Sequence, residues 1–278
     1  MRVGGVDVGS TYTKAVVLDG DGRLRGRALR PTGFRLEEAA AAALAEAHAA
    51  AGGDDDLVYV VATGYGRFQA AGRDTQVTDL TAHARGARYL FPGTRTVLDV
   101  GGQTMKASRV DQGGRVVSFR LNDKCAAGTG AFLEKTARYL GFSTADLGPL
   151  AETSRTPVPI SGVCAVFAES EVINHVSSGA APADIVAGAI ASLVDRSVQL
   201  LRRVRVEPEC TLVGGILRIP AFARLLGERL GVAVNLPPDD LAQFTGALGA
   251  AMLALRRATR PGAKAAAVVA TVAAPGEP

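Results

Sequence analysis

The strongest constraint on the fold is an internal repeat. The stretches 7–24 (DVGSTYTKAVVLDGDGRL) and 99–116 (DVGGQTMKASRVDQGGRV) align without a gap, and eight of their eighteen positions are identical. In each copy an apolar segment ends in Asp-Val-Gly, a polar turn follows, and a second strand-like segment starts at a Lys. This pattern is typical of a β-hairpin, so the repeat predicts equivalent hairpins in two duplicated domains. The alternative is that two unrelated hairpins agree by chance.

The segments around the hairpins predict the rest of each domain. We expect an Ala-rich helix over 35–51, a buried strand running into a glycine turn in LVYVVATGYGR (57–67), and a helix over 79–90. Strands that alternate with helices in this way form α/β layers with mixed sheets. The sequence therefore predicts an α/β fold of two domains, with a cleft between the two hairpin turns.

Composition agrees with a folded chain and sets the domain limits. Of the 278 residues, 47% are hydrophobic and 21% are charged, which excludes disorder as the main state. The 92-residue offset between Asp7 and Asp99 favours one domain over 1–90 and a second over 91–257. The remaining residues, 258–278, are biased to Ala, Pro and Gly, and we expect an unstructured tail there.

Charge, aromatic content and hydropathy exclude several classes of function. The net charge is only +4 and aromatic residues make up 5% of the chain, so neither a cationic stripe nor a stacking surface for nucleic acid is expected. The apolar N-terminus meets Asp7 before a signal-peptide core forms, and no apolar run approaches the roughly 20 residues of a membrane helix. Three cysteines do not make a disulfide scaffold. We therefore expect a cytoplasmic protein that binds neither nucleic acid nor membrane.

The hairpin turns have the residue types of an anion site. A tight turn of Gly, Ser and Thr directs backbone N–H groups and hydroxyls at one point, and a nearby Asp can hold the Mg²⁺ that accompanies a nucleotide. The nucleotide-binding residues predicted from the turns are Gly9, Ser10, Thr11, Tyr12, Thr13, Lys14, Gly101, Gly102 and Gln103. The predicted catalytic residues are Asp7, Asp99 and Gln103. The sequence has no Walker A pattern.

At this point the chain resembles the sugar-kinase, heat-shock-protein-70 and actin superfamily, in which two duplicated, ribonuclease H-like domains hold ATP between phosphate hairpins. The segment TLVGGILRIPAFARLLGERLG (211–231) resembles that superfamily's adenosine motif. The resemblance implies nucleotide contacts at Gly214, Gly215 and Gln243. Gln243 opens QFTGALGAAMLAL, which is similar to the closing helix of the second domain, although plain helix packing also explains its small residues.

A narrower resemblance lies in four further motifs: NDKCAAGTGAFLEKTARYLG (122–141), SGVCAVFAESEVINHVSSG (161–179), TAHARGA (81–87) and GYGR (64–67). Together they resemble the ATPase family that activates 2-hydroxyacyl-CoA dehydratases and includes the ATP-binding subunits of benzoyl-CoA reductase. The resemblance covers residues 3 to 255. It implies an ATPase that binds ATP or ADP, with further nucleotide contacts at Gly128, Thr129 and Gly130.

The same resemblance implies a redox role. It places one 4Fe–4S cluster between two subunits, held by Cys125 and Cys164 of each, in a homodimer. The expected function is delivery of low-potential electrons, received from a ferredoxin or flavodoxin, to a dehydratase or reductase component.

The residues themselves support the choice of these two cysteines. Cys125 and Cys164 each precede a helical run, and a helix N-terminus stabilises a thiolate. Two thiolates do not fill the four positions of an iron–sulfur cube, and a twofold dimer supplies the other two. The alternative is that both are small buried hydrophobes, which is our expectation for Cys210. The three histidines lack a catalytic motif and are expected to be surface or structural.

Departures from the family pattern leave alternatives open. Thr104 replaces an acid in GGQTMK, Asp79 replaces a Glu before TAHARGA, and the adenosine motif continues as GGILRI. These positions bear on ATP hydrolysis more than on ATP binding, and a heterodimer with a competent homologue is one alternative. The others are an ATP-binding subunit of a reductase-like heteromer, a small-molecule kinase with Asp99 as the base, and an actin-like nucleotide switch.

Overall fold

A computed structural model describes residues 1–53, 56–122, 129–162 and 164–260 of the chain. They form two compact units. The first unit contains Met1–Ala82 together with the residues from Gly246 onward, and the second is His83–Thr245. Each unit contains one five-stranded mixed sheet.

The sheet of the first unit is built around its N-terminal strand. Its five strands are β1 (Arg2–Val8), β2 (Tyr12–Asp19), β3 (Leu24–Pro31), β4 (Leu57–Thr63) and β5 (Thr75–Gln76), in the order β3-β2-β1-β4-β5. β1 pairs antiparallel with β2 and parallel with β4. The strand β1 is buried along almost its whole length because it is central in the sheet and covered on both faces.

The sheet of the second unit repeats this topology. Its strands are β6 (Thr96–Val100), β7 (Met105–Val110), β8 (Val116–Asn122), β9 (Cys210–Val213) and β10 (Val234–Asn235), in the order β10-β9-β6-β7-β8. β6 pairs antiparallel with β7 and parallel with β9, as β1 does with β2 and β4. The two predicted hairpins and the α/β class with duplicated mixed sheets are confirmed.

Eight helices accompany the strands in the described ranges. They are α1 (Leu36–Ala50), α2 (Asp79–Leu90), α3 (Gly130–Leu140), α4 (Leu147–Glu152), α5 (Ala165–Ser177), α6 (Pro182–Val204), α7 (Pro220–Leu230) and α8 (Leu241–Ala258). The chain passes between the two units within α2 and again within α8. Among the described residues, none of the helices has the combination of length and hydropathy needed for a membrane crossing.

Glycines let helices approach the first sheet closely. A Cβ on Gly5 would overlap the backbone of Ala247 and Ala251 in α8, and a Cβ on Gly26 would overlap the backbone of α1 at Ala47. The alanine faces of these helices therefore contact the strands directly. The close approach between β1 and α8 therefore depends on a glycine of the strand, Gly5.

The core of the second unit is larger and is organised by α6. This 23-residue helix starts with Pro182 at its first position, where the missing N–H costs nothing, and buries one face along its whole length. Its buried side chains pack with Phe132 of α3 and Phe222 of α7 in one hydrophobic cluster. The cluster also contains Cys210, so the expectation that this cysteine is a core residue is confirmed.

Candidate functional site

The turn of the first hairpin is closed by its own backbone and tied to β3. Gly9 donates its N–H to the carbonyl of Tyr12 at 3.1 Å. Thr32, just after β3, donates its hydroxyl to the carbonyl of Gly9 at 2.8 Å and its N–H to the carbonyl of Thr11 at 2.9 Å. The hydroxyls of Thr32 and the fully buried Thr13 lie 3.0 Å apart. Side chains of the first sheet therefore fix this turn.

Asp7 lies behind the turn with each carboxylate oxygen in a defined environment. Asp7 and Lys14 are directly opposite in the β1–β2 register, and Lys14 Nζ lies 3.4 Å from Asp7 Oδ2. The other oxygen, Oδ1, faces Gly64, which follows β4 with φ +89°. A Cβ at that position would overlap Asp7 Oδ1 and the carbonyl of Val8, so the site requires glycine there.

The turn of the second hairpin has the same closure but a different attachment. Gly101 donates its N–H to the carbonyl of Thr104 at 2.9 Å, as Gly9 does to Tyr12 in the first turn. The carbonyls of Gly101 and Gly102 accept the N–H groups of Gly130 and Ala131 at 3.0 and 2.8 Å. The first turn of α3 is therefore bonded to the second hairpin.

Asp99 reproduces the environment of Asp7 and adds one group. Lys106 is opposite Asp99 in the β6–β7 register, and its Nζ lies 3.6 Å from Asp99 Oδ2. Gly214 follows β9 with φ +106°, and a Cβ there would lie 3.0 Å from Asp99 Oδ1 and overlap the carbonyl of Val100. The added group is His83 of α2, whose Nδ1 lies 3.4 Å from Asp99 Oδ2.

The remaining predicted nucleotide residues lie in the second unit. Gly214 donates its N–H to the carbonyl of Ala242 at 2.8 Å, and Gly215, where a Cβ would meet nothing within 4 Å, begins a 3₁₀ helix. Gln243 Nε2 of α8 lies 3.4 Å from Asp240 Oδ2. One backbone hydrogen bond therefore joins the two segments that the sequence analysis assigned to nucleotide contacts, the glycine turn at Gly214 and the start of α8.

Sequence reasoning missed four residues that contact the first turn or one of the two carboxylates. Their roles here depend on pairing between distant strands or on a helix packed over the sheet. They are Gly64, Thr32, Lys106 and His83. The repeat contained a signal for Lys106, which aligns with Lys14, and the GYGR motif contained Gly64. His83 was expected to be surface or structural; it is buried, at 9% exposure, and it faces a predicted catalytic carboxylate, a position that the sequence did not indicate.

The structure describes only one of the two predicted cluster ligands, Cys164. Cys125 and Gly128 lie outside the described residues, and the helix that follows Cys125 begins at Gly130 after Thr129. Cys164 is the half-buried residue immediately before α5, with an extended backbone at φ −144° and ψ 143°. It is therefore at a helix N-terminus, as the sequence predicts. Burial instead raises the pKa of Cys210 to about 12, which suits an inert thiol.

The helices that follow the two cysteines are in contact. Lys135 of α3 donates to Glu169 Oε1 of α5 at 2.8 Å, and the hydroxyl of Tyr139 lies 3.4 Å from Glu169 Oε2. The hydrogen bond from Lys135 to Glu169 and the charge of Glu169 raise the pKa of Lys135, so this lysine stays charged near neutral pH. Together with the bonds from α3 to the second turn, this pair makes a continuous path from Gly101 to α5.

The sequence of this chain matches a known protein family. A family model described as the BadF/BadG/BcrA/BcrD ATPase family matches residues 5–254. The chain belongs to this family. The family resemblance inferred from the sequence is therefore confirmed.

Individual members of the BadF/BadG/BcrA/BcrD ATPase family match over almost the whole chain. The (R)-2-hydroxyglutaryl-CoA dehydratase activating ATPase of Acidaminococcus fermentans is 38% identical over 257 residues, which cover 92% of this chain and 98% of the relative. A benzoyl-CoA reductase subunit of Thauera aromatica is 34% identical over 261 residues, covering 89% of this chain and 91% of the relative.

A solved structure of the family has the same fold. The activator of the 2-hydroxyisocaproyl-CoA dehydratase from Clostridium difficile, with bound ADPNP, matches with a TM-score of 0.86 at 37% identity. The match covers 93% of this chain and 96% of that one. The fold class predicted from the repeat is therefore the fold of a nucleotide-binding family member.

Proposed function

We propose that the chain is an ATP-dependent activator that delivers low-potential electrons to a 2-hydroxyacyl-CoA dehydratase. In this proposal two subunits share a 4Fe–4S cluster held by Cys125 and Cys164 of each. The observation that carries it is the bonding of α3, the helix after Cys125, to the second hairpin turn through Gly101 and Gly102. This contact connects the part of the chain expected to bind ATP phosphates with the part expected to hold the cluster.

The two hairpins supply the groups that nucleotide binding needs. The N–H groups of Gly9 and Gly101 close the turns, so the residues that follow them, 10–11 and 102–103, offer their backbone N–H groups to phosphate oxygens, and Lys14 and Lys106 supply positive charge. Asp7 and Asp99 are buried carboxylates, whose hard oxygen atoms fit a Mg²⁺ that keeps several waters. We propose that each carboxylate is able to orient such an ion or its bound water, and that the lysine opposite it in the strand register holds it in place.

The donor set also fits a cluster shared between two subunits. Cys164 is half-buried, and the exposed apolar side chains of α5 (Val166, Phe167, Ile173 and Val176) follow it directly. A second copy of α5 would cover this apolar face and bring two more thiols. When bound, the cluster supplies one-electron transfer at low potential.

Coupling between the two sites requires only this chain's own contacts. A movement of Gly101 and Gly102 on phosphate binding or release is transmitted to Gly130 and Ala131 because the amide–carbonyl bonds join them directly. The Lys135–Glu169 pair then links α3 to α5. We propose that ATP binding and hydrolysis shift the two cysteine-bearing segments together and so control when the partner is engaged.

Oxygen-free purification tests the proposal. The expected protein is brown, carries about four irons per dimer, and turns over ATP. Cys125→Ala and Cys164→Ala lose the colour and the iron, whereas Cys210→Ala, a matched control at a buried cysteine, keeps both. A colourless, iron-free preparation that transfers phosphate from ATP to a metabolite would contradict the proposal and support the kinase alternative.

The partner within this family remains part of the proposal. The match to the dehydratase activating ATPase covers 98% of that relative at 38% identity. The match to the reductase subunit covers 91% of that relative at 34% identity. We therefore propose the dehydratase as the partner, a homodimer as the assembly, and a ferredoxin or flavodoxin as the electron donor.

A further inference from the structure

We propose that His83 is a positioning residue for Asp99, which it holds through Nδ1 in the orientation needed for ATP hydrolysis. This inference rests on the proposed ATPase function and adds a residue to it. Its basis is an asymmetry between the two hairpins. Asp7 and Asp99 share a lysine at Oδ2 and a glycine at Oδ1, but only Asp99 also has an imidazole beside Oδ2 among the described residues.

The imidazole is buried and directed at the carboxylate. His83 is 9% exposed, and its Nδ1 is fully buried without a hydrogen-bond partner among the described residues. Asp99 Oδ2 is 3.4 Å from this atom, just beyond hydrogen-bond range. A buried polar atom without a partner is costly, and an ionised carboxylate only accepts. Nδ1 is therefore the protonated nitrogen, and a small movement of either side chain completes the bond.

The surroundings of Asp99 explain why one more contact is needed. Lys106 approaches Oδ2 at 3.6 Å, which is also longer than a hydrogen bond, so the lysine alone leaves this oxygen loosely held. On the other side, Oδ1 faces Gly214, where a Cβ would lie 3.0 Å from it, and glycine has no side-chain donor to offer. Catalytic hydrogen bonds are often long until substrate binds and then tighten. His83 supplies the donor that tightens onto Asp99.

The position of His83 in α2 makes this contact stable. Gly86, one turn further along α2, lies against the backbone of Thr245 in α8, where a Cβ would overlap the carbonyl oxygen. Ala87 of α2 packs with Val97 of β6 and Val213 of β9. These contacts hold α2 against the same sheet that carries Asp99, so the imidazole has little freedom to leave it.

Substitutions at His83 separate positioning from packing. An Asn side chain places its amide nitrogen two bonds beyond Cβ, where Nδ1 is in histidine, whereas a Gln side chain places it one bond further. We expect His83→Ala and His83→Gln to lower the kcat for ATP roughly 10- to 100-fold, because misplaced groups cost about that much. His83→Asn should stay within about fivefold of the wild type. The Kd for Mg-ADPNP should change by less than about threefold in all three variants.

Controls and a second readout keep the inference falsifiable. His48→Asn in α1 controls for loss of a histidine, and the melting temperature of each variant controls for folding. The ¹⁵N spectrum of His83 should show the Nδ1-protonated form. Wild-type kcat in His83→Ala, or equal losses in the Asn and Gln variants, would overturn the inference. If the wild type hydrolyses no ATP, the proposed function fails, and an Nε2-protonated His83 in the spectrum would overturn the inference by itself.

Discussion

The two hairpins keep the same groups around their carboxylates but hold their turns by different means. In both, a lysine lies opposite the aspartate in the strand register, and a glycine of positive φ lies beside the carboxylate. Each glycine follows the strand that pairs in parallel with the aspartate's strand and is distant from the aspartate in sequence. The first turn is fixed by the hydroxyl and the N–H of Thr32, within its own sheet. The second turn is fixed by the amides of Gly130 and Ala131, at the start of a helix.

This difference separates what the two units share from what only the second has. The shared lysine, aspartate and glycine are the groups that we propose for phosphate and cation binding. The attachment of the second turn connects it to α3, and through Lys135 and Glu169 to α5. We infer that the first hairpin serves nucleotide binding alone, whereas the second also reports the state of the nucleotide to the cysteine segments.

The largest expected effect concerns the shared carboxylates. Asp7→Asn and Asp99→Asn should each lower ATP turnover by about 10²- to 10³-fold, because preorganised charge at a transition state contributes that much. A steady-state phosphate-release assay measures both. The control is Asp111→Asn, a half-buried carboxylate in the far turn of the second hairpin that is bonded to Arg115, which should leave turnover within about twofold. If one of the two aspartate variants kept full turnover, the chemical equivalence of the two hairpins would be wrong.

The next effect concerns the two glycines beside the carboxylates. Gly64→Ala and Gly214→Ala combine strain at positive φ, about 1–2 kcal/mol, with overlap on a backbone carbonyl, so each should lose about 2–5 kcal/mol of unfolding free energy. Gly141→Ala has a similar φ of +76° but meets nothing within 4 Å, and should lose only about 1 kcal/mol. Chemical denaturation measures all three. Equal losses at the three positions would show that the close approach to the carboxylates contributes nothing.

Local features of the fold were predictable from the sequence, and distant contacts were not. The hairpins and the bounds of α2 followed from turn residues and periodicity, which act over a few positions. The contacts of Gly64 with Asp7 and of Gly214 with Asp99 depend on parallel pairing between strands separated by helices. The contact of His83 with Asp99 depends on how α2 packs on the sheet, which no spacing rule encodes.

The smallest effect concerns the far ends of the hairpins. Backbone N–H groups of Arg23 and Arg115 lower the pKa of Asp19 and Asp111 below 3.8. The two carboxylates therefore stabilise the fold above that pH, and this contribution is lost as the pH falls through their folded pKa values. Unfolding midpoints should therefore fall more steeply below pH 4 in the wild type than in the double variant Asp19→Asn/Asp111→Asn. Thermal melts from pH 2 to pH 7 measure the difference. Parallel profiles would contradict it.

We propose above all that the second turn and the cysteine segments move together. The direct measurement is the electron paramagnetic resonance spectrum of the reduced, anaerobically purified dimer with and without ADPNP. Gly130→Pro removes the N–H that bonds Gly101 and leaves the bond from Ala131 to Gly102, whereas Thr32→Val removes only the hydroxyl bond to Gly9 in the first turn. We expect ADPNP to change the spectrum fully in the wild type and in Thr32→Val, and clearly less in Gly130→Pro. A full response in Gly130→Pro, at unchanged ADPNP affinity, would contradict it.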